Sequence, residues 1–421
     1  MQKHKVKLAH SLKRKALLQE INGLEKKAKV TNKASSSLED DANGRKKKSV
    51  PNCVIKAKTV RNRIFIGDQI EDCKDLSGLY YLLAFQKGYL INWEIERQVW
   101  DYIFGKSYLD VDFDDTSIII TEPYFNFPSI QEAVSEILFE DYQFHSVFRC
   151  NSGFLTQSKY YNECKNSSEL CCLVIDSGYS FTHVTPYYLD KKIKQGIKRI
   201  NVGGKILTNH LKEIVSYRQL MVMDETYVMN QVKEDVCFVS LDFFKDMEIA
   251  KKHSTANTIV RDYVLPDYTH IKRGHIRDPE DAGTKPTGSE QIIRLNNERF
   301  SVPEVLFHPS DIGIQEMGLA ETVVHSISCT PEEMHPHLYN NIVVTGGNGL
   351  LPGFKERLYN DVRAMAPCEL DVRVTCSDNP VNYPWQGGVL MSEHSDFNKQ
   401  LVTKAEYEEY GYNLCMERFD V

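Results

Sequence analysis

The sequence predicts an α/β protein of two lobes, and three observations support this. First, 421 residues exceed what one hydrophobic core usually organises. Second, short apolar runs alternate with stretches of helical periodicity, which is typical of partly parallel sheets. Third, two glycine-containing turns, at 176–178 and 345–349, each follow an apolar run directly. Two such turns in one chain favour a cleft shared by the lobes.

The apolar pattern places the main elements of the globular part, which begins at Val50. Short apolar runs bounded by turn residues predict buried strands at 118–120, 170–175 and 341–344. Apolar residues at three- and four-residue spacing predict helices at 130–144, 208–214 and 231–239, and from Pro352 onward. Residues 273–291 are rich in Gly, Pro, Asp and Lys and predict a loop.

Residues 1–49 form a basic tail with a net charge of +9, whereas the remaining residues carry −16. Apolar residues from Leu17 to Ala28 recur at helical spacing and predict an amphipathic helix over 10–29. The run 45–48 (RKKK) is typical of a nuclear localisation signal, and the alternative is a solvated, disordered tail. The charge asymmetry favours a nuclear address or contact of the tail with nucleic acid.

No apolar run approaches the roughly 18 residues that span a bilayer, so a membrane partner is not expected.

The two glycine-containing turns are the strongest candidates for a binding site. Asp176, Ser177 and Gly178 end a strand, where exposed backbone N–H groups and a carboxylate can hold a hydrated cation. Gly346 and Gly347 let the backbone approach a ligand ahead of a helix N-terminus, which favours negative charge. Each turn alone also fits a plain structural connection. The spacings of the Walker and dinucleotide-binding fingerprints are absent.

The same turns carry a resemblance to the actin superfamily. Asp176–Gly178 with Thr182 and His183 resembles its second phosphate loop. Gly346–Gly347 with residues 352–353 resembles its adenosine-binding segment, and residues 385–388 (WQGG) its hinge segment. Further matching segments, at 85–90, 119–129, 201–216 and 311–318, place the chain near the nuclear actin-related proteins. The resemblance covers about residues 50–421.

The resemblance implies an actin-like fold, with two α/β lobes around a nucleotide cleft. The implied first lobe, which is truncated, comprises residues 50–159 and 383–421. The second comprises 160–382, with 203–314 as its outer subdomain. The first strand and first phosphate loop of the family are not found in the sequence, and residues 1–49 stand in their place. Such a loss leaves a sheet edge unpaired. Either the tail helix covers that edge, or the chain is a variant or the product of a mis-assembled gene.

The resemblance implies that seven residues bind ATP with Mg. It also implies that one of them, Asp176, is a metal ligand. The seven are Asp176, Ser177, Gly178, Lys233, Glu234, Gly346 and Gly347. Two departures weaken the implied site further. Tyr179 stands where the family has another Asp, and either Asn151 or Ser152 replaces the glutamine that orients the attacking water. Without a positioned water, hydrolysis is not expected, and no catalytic residue is assigned.

The resemblance therefore implies a non-catalytic structural subunit of a Swr/SRCAP-type, ATP-dependent chromatin remodelling complex that exchanges variant histones and affects transcription. The implied partners are other subunits of the complex, including a small zinc-finger protein, together with the nucleosome or its histones. Nucleic acid is an expected partner of the basic tail. The implied location is nuclear, with the cytoplasm as a second one. The alternatives are a weak actin-type ATP-binding protein or ATPase, and a cytoskeletal actin-related protein.

Overall fold

The structure is a computed structural model. It describes residues 49–57, 63–73, 79–164, 171–253, 256–268, 270–277 and 290–421, together with the backbone of three short strands within 17–47.

The strands, in chain order, are β1 (Leu17–Glu20), β2 (Glu39–Asp40), β3 (Lys46–Lys47), β4 (Val54–Ala57), β5 (Ile64–Ile66), β6 (Leu79–Leu82), β7 (Phe85–Gln86), β8 (Tyr89–Leu90), β9 (Ser117–Glu122), β10 (Ser146–Asn151), β11 (Cys171–Ser177), β12 (Thr182–Tyr188), β13 (Lys191–Lys192), β14 (Lys198–Ile200), β15 (Arg261–Val264), β16 (His275–Ile276), β17 (Ile292–Leu295), β18 (Ile342–Thr345), β19 (Val374–Cys376) and β20 (Val402–Thr403).

The α-helices are α1 (Trp93–Phe104), α2 (Pro128–Glu136), α3 (Ser152–Glu163), α4 (Gly204–Arg218), α5 (Thr226–Val236), α6 (Phe243–Ala250), α7 (Glu298–Glu304), α8 (Leu319–Ser328), α9 (His335–Asn340), α10 (Phe354–Met365), α11 (Tyr383–Glu393), α12 (Lys404–Tyr410) and α13 (Tyr412–Arg418). Within the described residues, no helix is long and apolar enough to cross a membrane.

The first lobe is built on a four-stranded sheet of order β1-β9-β10-β20, in which β1, β9 and β10 run parallel. Three consecutive isoleucines of β9, Ile118 to Ile120, are almost completely buried, as a strand covered on both faces requires. Helices α1, α2 and α13 supply the residues that cover this sheet, and Trp100 of α1 is fully buried among them. The core of this lobe therefore joins residues 54–155 to residues 391–419.

The second lobe is built on a larger sheet of order β13-β12-β11-β18-β19, with β14 paired to β12. Strands β11, β18 and β19 are parallel, and the register sets Asp176 beside Thr345. Parallel strands place their carboxyl ends at one edge, so both glycine-containing turns emerge together. A continuous apolar core spanning residues 171–374 packs on this sheet.

Helices α3 and α11 carry the chain between the lobes. An ideal Cβ on Gly387 would lie 1.9 Å from the carbonyl oxygen of Leu155, so these helices pack backbone against backbone. This close approach explains Gly387 in the segment WQGG. The predicted lobe boundaries near 160 and 383 lie within or at the start of these helices, and they stay a prediction.

The predicted strands and helices of the globular part are present, with shifted ends. The helix predicted at 130–144 begins earlier, at Pro128, and continues beyond Glu136 as a single π-turn to Asp141. The helix predicted from Pro352 begins at Phe354, because Gly353 takes a left-handed conformation with φ +84°. Residues 278–289 of the predicted loop lie outside the described residues, and 275–276 form β16.

Two predictions for the tail are wrong where the structure describes it. Residues 17–20 form a strand and not the middle of a helix, and this strand pairs with β9 from Leu17↔Ile118 to Glu20↔Thr121. The edge of β9 that was expected to be unpaired is therefore occupied. Pairing with an open sheet edge outweighs the modest helical preference of a four-residue segment.

The predicted localisation signal is described only in part. Lys46 and Lys47 form β3, while Arg45 and Lys48 lie outside the described residues.

Candidate functional site

The loop after β11 is closed by its own backbone and side chains. Strands β11 and β12 pair as a hairpin in which Ser177 faces Thr182, with their hydroxyl oxygens 2.9 Å apart. The N–H of Gly178 donates to the carbonyl of Phe181 at 3.0 Å. These bonds fix the shape of the loop that the sequence marks as a phosphate loop.

The second turn packs directly onto the first. Gly346 has φ +91°, and an ideal Cβ there would lie 2.4 Å from the carbonyl oxygen of Ser177, so only glycine fits. Gly347, by contrast, has open space where its Cβ would be. The side-chain amide of Asn348 donates to the Ser177 hydroxyl at 3.0 Å and to the Gly178 carbonyl at 2.9 Å. The structure thus brings both predicted turns together, held by an asparagine that the sequence analysis did not select.

Lys233 lies beside these turns, at the end of α5, and is almost fully buried. Its ammonium donates to the Gly204 backbone carbonyl at 3.2 Å, the Thr208 hydroxyl at 2.9 Å and the side-chain amide oxygen of Asn230 at 2.7 Å. The Glu234 carboxylate accepts from the Asn230 side chain at 3.3 Å. All three ammonium protons therefore have protein acceptors, and a ligand at this site must compete with them.

Three side chains meet around Gly204, the first residue of α4. An ideal Cβ there would lie 3.3 Å from the Lys233 ammonium, 3.4 Å from the Asn348 side-chain oxygen and 3.5 Å from the ring of Tyr179. Tyr179 also packs against the apolar core of the first lobe, although it belongs to a loop of the second. Its ring thus occupies space between the lobes, next to the predicted adenosine segment.

Asp176 is bonded across the cleft to the first lobe. The hydroxyl of Ser152, the first residue of α3, donates to the Asp176 carboxylate at 2.6 Å, and both side chains are buried. Asn151 points elsewhere: its amide donates to the Glu122 carbonyl at 3.0 Å. Of the two residues considered as replacements for the water-orienting glutamine, Ser152 is the one that faces Asp176.

Asp176 is the one residue that is predicted to bind the metal. Asp176 already accepts a hydrogen bond from Ser152, and no group of three or more His, Cys, Asp or Glu side chains in the described part could hold a metal ion. Residues 21–38, which follow β1 in the chain, lie outside the described residues. The metal and cofactor roles of the seven residues stay predictions.

His183 is buried directly behind the Asp176 loop. Its ring lies 5.1 Å from that of Tyr124 and 5.8 Å from that of Phe181. Burial, and to a lesser degree the positive charge of Arg199, lowers the pKa of His183 to about 3. Within the described residues its Nε2 has no hydrogen-bond partner. The histidine is therefore held neutral, which excludes a role as a proton donor near neutral pH.

A group of residues that joins the lobes was missed by sequence reasoning. Arg199, on β14, donates to the phenol oxygen of Tyr89, in the β7–β8 hairpin, at 2.6 Å. The phenol oxygens of Tyr124 and Tyr187 lie 2.8 Å apart across the same boundary. These residues are up to 110 positions apart in the chain, and no local pattern could have connected them.

Comparisons with known proteins agree with this architecture. The Actin family profile matches residues 40–420. The chain is 46% identical over 375 residues to Actin-related protein 6 of Drosophila melanogaster, covering 88% of this chain and 93% of that protein. It is 36% identical over 396 residues to Actin-related protein 6 of Arabidopsis thaliana (88% and 93%). It is 33% identical over 437 residues to the protein of that name from Dictyostelium discoideum (88% and 89%). The predicted α/β, actin-like fold class and the resemblance to an actin-related branch are thereby confirmed.

Proposed function

The chain belongs to the actin family, and from that premise we propose that it is a non-catalytic structural subunit of a Swr/SRCAP-type chromatin remodelling complex. In this role it supports the exchange of variant histones in the nucleus and so affects transcription. Its partners are the other subunits, including a small zinc-finger protein, and the nucleosome.

The bond between Ser152 and Asp176 is the observation that carries the non-catalytic part of the proposal. At 2.6 Å it engages one oxygen of the carboxylate that is predicted to hold the metal, so a cation at that oxygen competes with the Ser152 hydroxyl. Phosphoryl transfer depends on cations and positioned groups that neutralise charge on the phosphates. Within the described residues, Ser152 and Tyr179 take the places of the family's water-orienting and acidic groups, and neither side chain supplies the corresponding function.

Charge distribution supports the assembly role. The chain outside the basic tail has a net charge of −16, which disfavours direct binding to the DNA backbone. The tail, with +9, supplies cations that suit phosphate contacts and a nuclear address. We infer that any nucleic-acid contact is made by the tail, and that it weakens as salt concentration rises.

Co-purification from nuclear extracts tests the proposal. The full chain, tagged at its C-terminus, is expected to sediment with remodelling subunits and histones in a particle far larger than 48.5 kDa. A matched chain with Lys46, Lys47 and Lys48 changed to Gln tests the tail, and loses nuclear enrichment if the run is the address. Recovery of the unaltered chain only as a free monomer contradicts the proposal.

A weak ATP-binding protein is the second candidate, favoured by Gly347. Its face is open, and it lies between the Asp176 loop and the start of α10. Purified full chain is expected to hydrolyse ATP no faster than its Asp176→Ala variant. If the unaltered chain hydrolyses ATP and Asp176→Ala abolishes this hydrolysis, the chain is an ATPase and the non-catalytic proposal is wrong. Filaments of the purified chain in electron micrographs support the cytoskeletal alternative.

A further inference from the structure

We propose that protein side chains, and not a bound nucleotide, hold the two lobes closed, through a clasp formed by Tyr89 of the first lobe and Phe181 and Arg199 of the second. The proposal deepens the non-catalytic role described above and rests on it. A subunit whose cleft stays shut without ATP presents one fixed shape to its partners.

Arg199 is the centre of the clasp. Its guanidinium carbon lies 3.5 Å from the ring centroid of Phe181 and 5.5 Å from that of Tyr89. One guanidinium nitrogen also donates to the phenol oxygen of Tyr89 at 2.6 Å. A planar guanidinium can stack on one ring while it donates in its own plane to another residue. The edge of the guanidinium therefore donates to Tyr89 of the first lobe, and its face stacks on Phe181 of the second lobe.

The remaining guanidinium donors fix its orientation. Two of its nitrogens donate to the side-chain oxygen of Asn201, at 3.0 and 2.8 Å. The Glu316 carboxylate in turn accepts from the backbone and side-chain amides of Asn201, at 2.7 and 2.6 Å. A side chain held in this way loses little further freedom when it bonds to Tyr89.

Gly88 lets the first-lobe hairpin sit directly on the clasp. It has φ +72°, and an ideal Cβ there would lie 2.2 Å from the ring of Phe181. Tyr89, next in sequence, also packs against Phe127 with ring centroids 5.0 Å apart. A backbone that touches the partner lobe at a glycine indicates a built interface rather than a chance approach.

Two further connections lie on the same boundary. Tyr124 and Tyr187 share a hydrogen bond of 2.8 Å, and Gly153 leaves room for it, since a Cβ there would lie 2.0 Å from the Tyr124 oxygen. The Lys192 ammonium donates to Asn151 at 2.9 Å and to the carbonyl of Asp420 at 3.0 Å. These bonds add protein–protein contacts across the boundary on which the clasp lies.

Hydrogen–deuterium exchange of the full chain, read by mass spectrometry, tests the clasp. In the wild type, peptides covering 85–90 and 181–188 are expected to exchange at the same rate with and without saturating ATP and Mg²⁺. Arg199→Ala removes the stacking and the charged hydrogen bond, and exchange of both peptides is expected to rise on the order of tenfold. The peptide covering β18, inside one lobe, is expected to stay unchanged.

Two more variants keep the test sharp. Lys198→Ala is the matched control, because Lys198 is also a cation on β14 but its ammonium reaches only the carbonyl of Gln195, at 3.4 Å. Tyr89→Phe keeps the ring and removes one hydrogen bond, so a rise of about threefold is expected even if Arg199→Ala does not fold.

The proposal is overturned if Arg199→Ala and Tyr89→Phe exchange like the wild type. It is also overturned if ATP and Mg²⁺ slow exchange of the wild-type peptides about tenfold. Neither result depends on co-purification with remodelling subunits. If the exchange results contradict the clasp but the chain still co-purifies with remodelling subunits, only the clasp is rejected. If the exchange results support the clasp but the chain does not co-purify, only the assembly role is rejected.

Discussion

Among the described residues, each lobe contains a buried titratable side chain whose charged form is poorly compensated, and the charged forms of the two have opposite sign. In the first lobe, Glu96 of α1 is completely buried and accepts a hydrogen bond from the Asn52 amide at 3.2 Å. In the second, His183 is 5% exposed, and its Nε2 has no partner within the described residues.

The two groups respond to pH in opposite directions. Burial raises the pKa of Glu96 from 4.5 to about 7, although the Asn52 amide opposes the shift. Burial lowers the pKa of His183 from 6.5 to about 3. Each group is held neutral by its own lobe, so the first lobe loses stability as pH rises and the second as pH falls. The comparison teaches that burial without a full partner makes an acidic and a basic group contribute to stability with opposite pH dependence, one in each lobe.

The largest effect is expected from Glu96→Gln at alkaline pH. A carboxyl whose pKa is higher in the folded state stabilises below the unfolded value of 4.5, and that contribution is lost as pH rises through 7. At pH 8 the variant should therefore gain about 3 kcal/mol relative to its effect at pH 4. Urea unfolding at both pH values measures this. Glu94→Gln, an exposed change on the same helix, is the control, and equal shifts for both variants would contradict the comparison.

His183→Gln should act at the other end of the pH range. A histidine whose pKa is lowered by folding costs nothing above 6.5 and destabilises progressively as pH falls below it. Between pH 7 and pH 5 the wild type should lose about 2 kcal/mol that the neutral variant retains. His325→Gln, at an exposed position on α8, is the control for general loss of a histidine. If the free energy of unfolding depends on pH in the same way in the wild type and in His183→Gln, His183 is not the source of the loss in acid.

Asn52→Ala should show how far the Asn52 amide stabilises the charged form of Glu96 in the first lobe. It removes the amide that donates to Glu96, which matters chiefly when the carboxyl is charged. We expect the free energy of unfolding to fall by about 1.5 kcal/mol at pH 8 and by less at pH 4. In the Glu96→Gln background the pH dependence of this loss should disappear. A loss independent of pH in both backgrounds would point to packing at Asn52 and not to the carboxylate.

Arg199→Gln should give the smallest effect, and this effect concerns the pKa of His183 in the second lobe. The charge of Arg199 is the lesser cause of the lowered pKa of His183, so its removal should raise that pKa while burial keeps it below 6.5. The acid-induced loss of stability should shrink by less than about 1 kcal/mol. Titration of the His183 ring by NMR measures the shift, with Lys198→Gln as the control. A pKa of His183 that stays unchanged or falls in the Arg199→Gln variant would contradict the assigned effect of the charge.

Local pattern was sufficient for the second-lobe side of the cleft. Short apolar runs that lead into the turns at Asp176 and at Thr345–Gly346 predict buried strands followed by tight turns, because few other arrangements satisfy both features. The helices from 204 and 226 were detected through their buried stripes, and their ends were misjudged by a few residues, as capping leaves only weak signals.

The strand at Leu17–Glu20 shows where local pattern misleads. Leu, Gln and Glu all favour helices, and the surrounding lysines strengthen that signal. Only the open edge of β9, contributed by residues about 100 positions further on, makes an extended conformation preferable. Strand pairing is a property of two segments, so a helical prediction from one segment could not anticipate it.

The amino-acid sequence alone determined the α/β class, the two turns that meet at the cleft and the family of the chain, because each depends on residues close together or on matched motifs. Tertiary structure alone decided how the cleft is filled. Ser152 faces Asp176, Tyr179 reaches the other lobe, and Arg199 bonds to Tyr89. These contacts join residues that only the packing of one lobe on the other brings within hydrogen-bond distance, where direction and separation fix the energy.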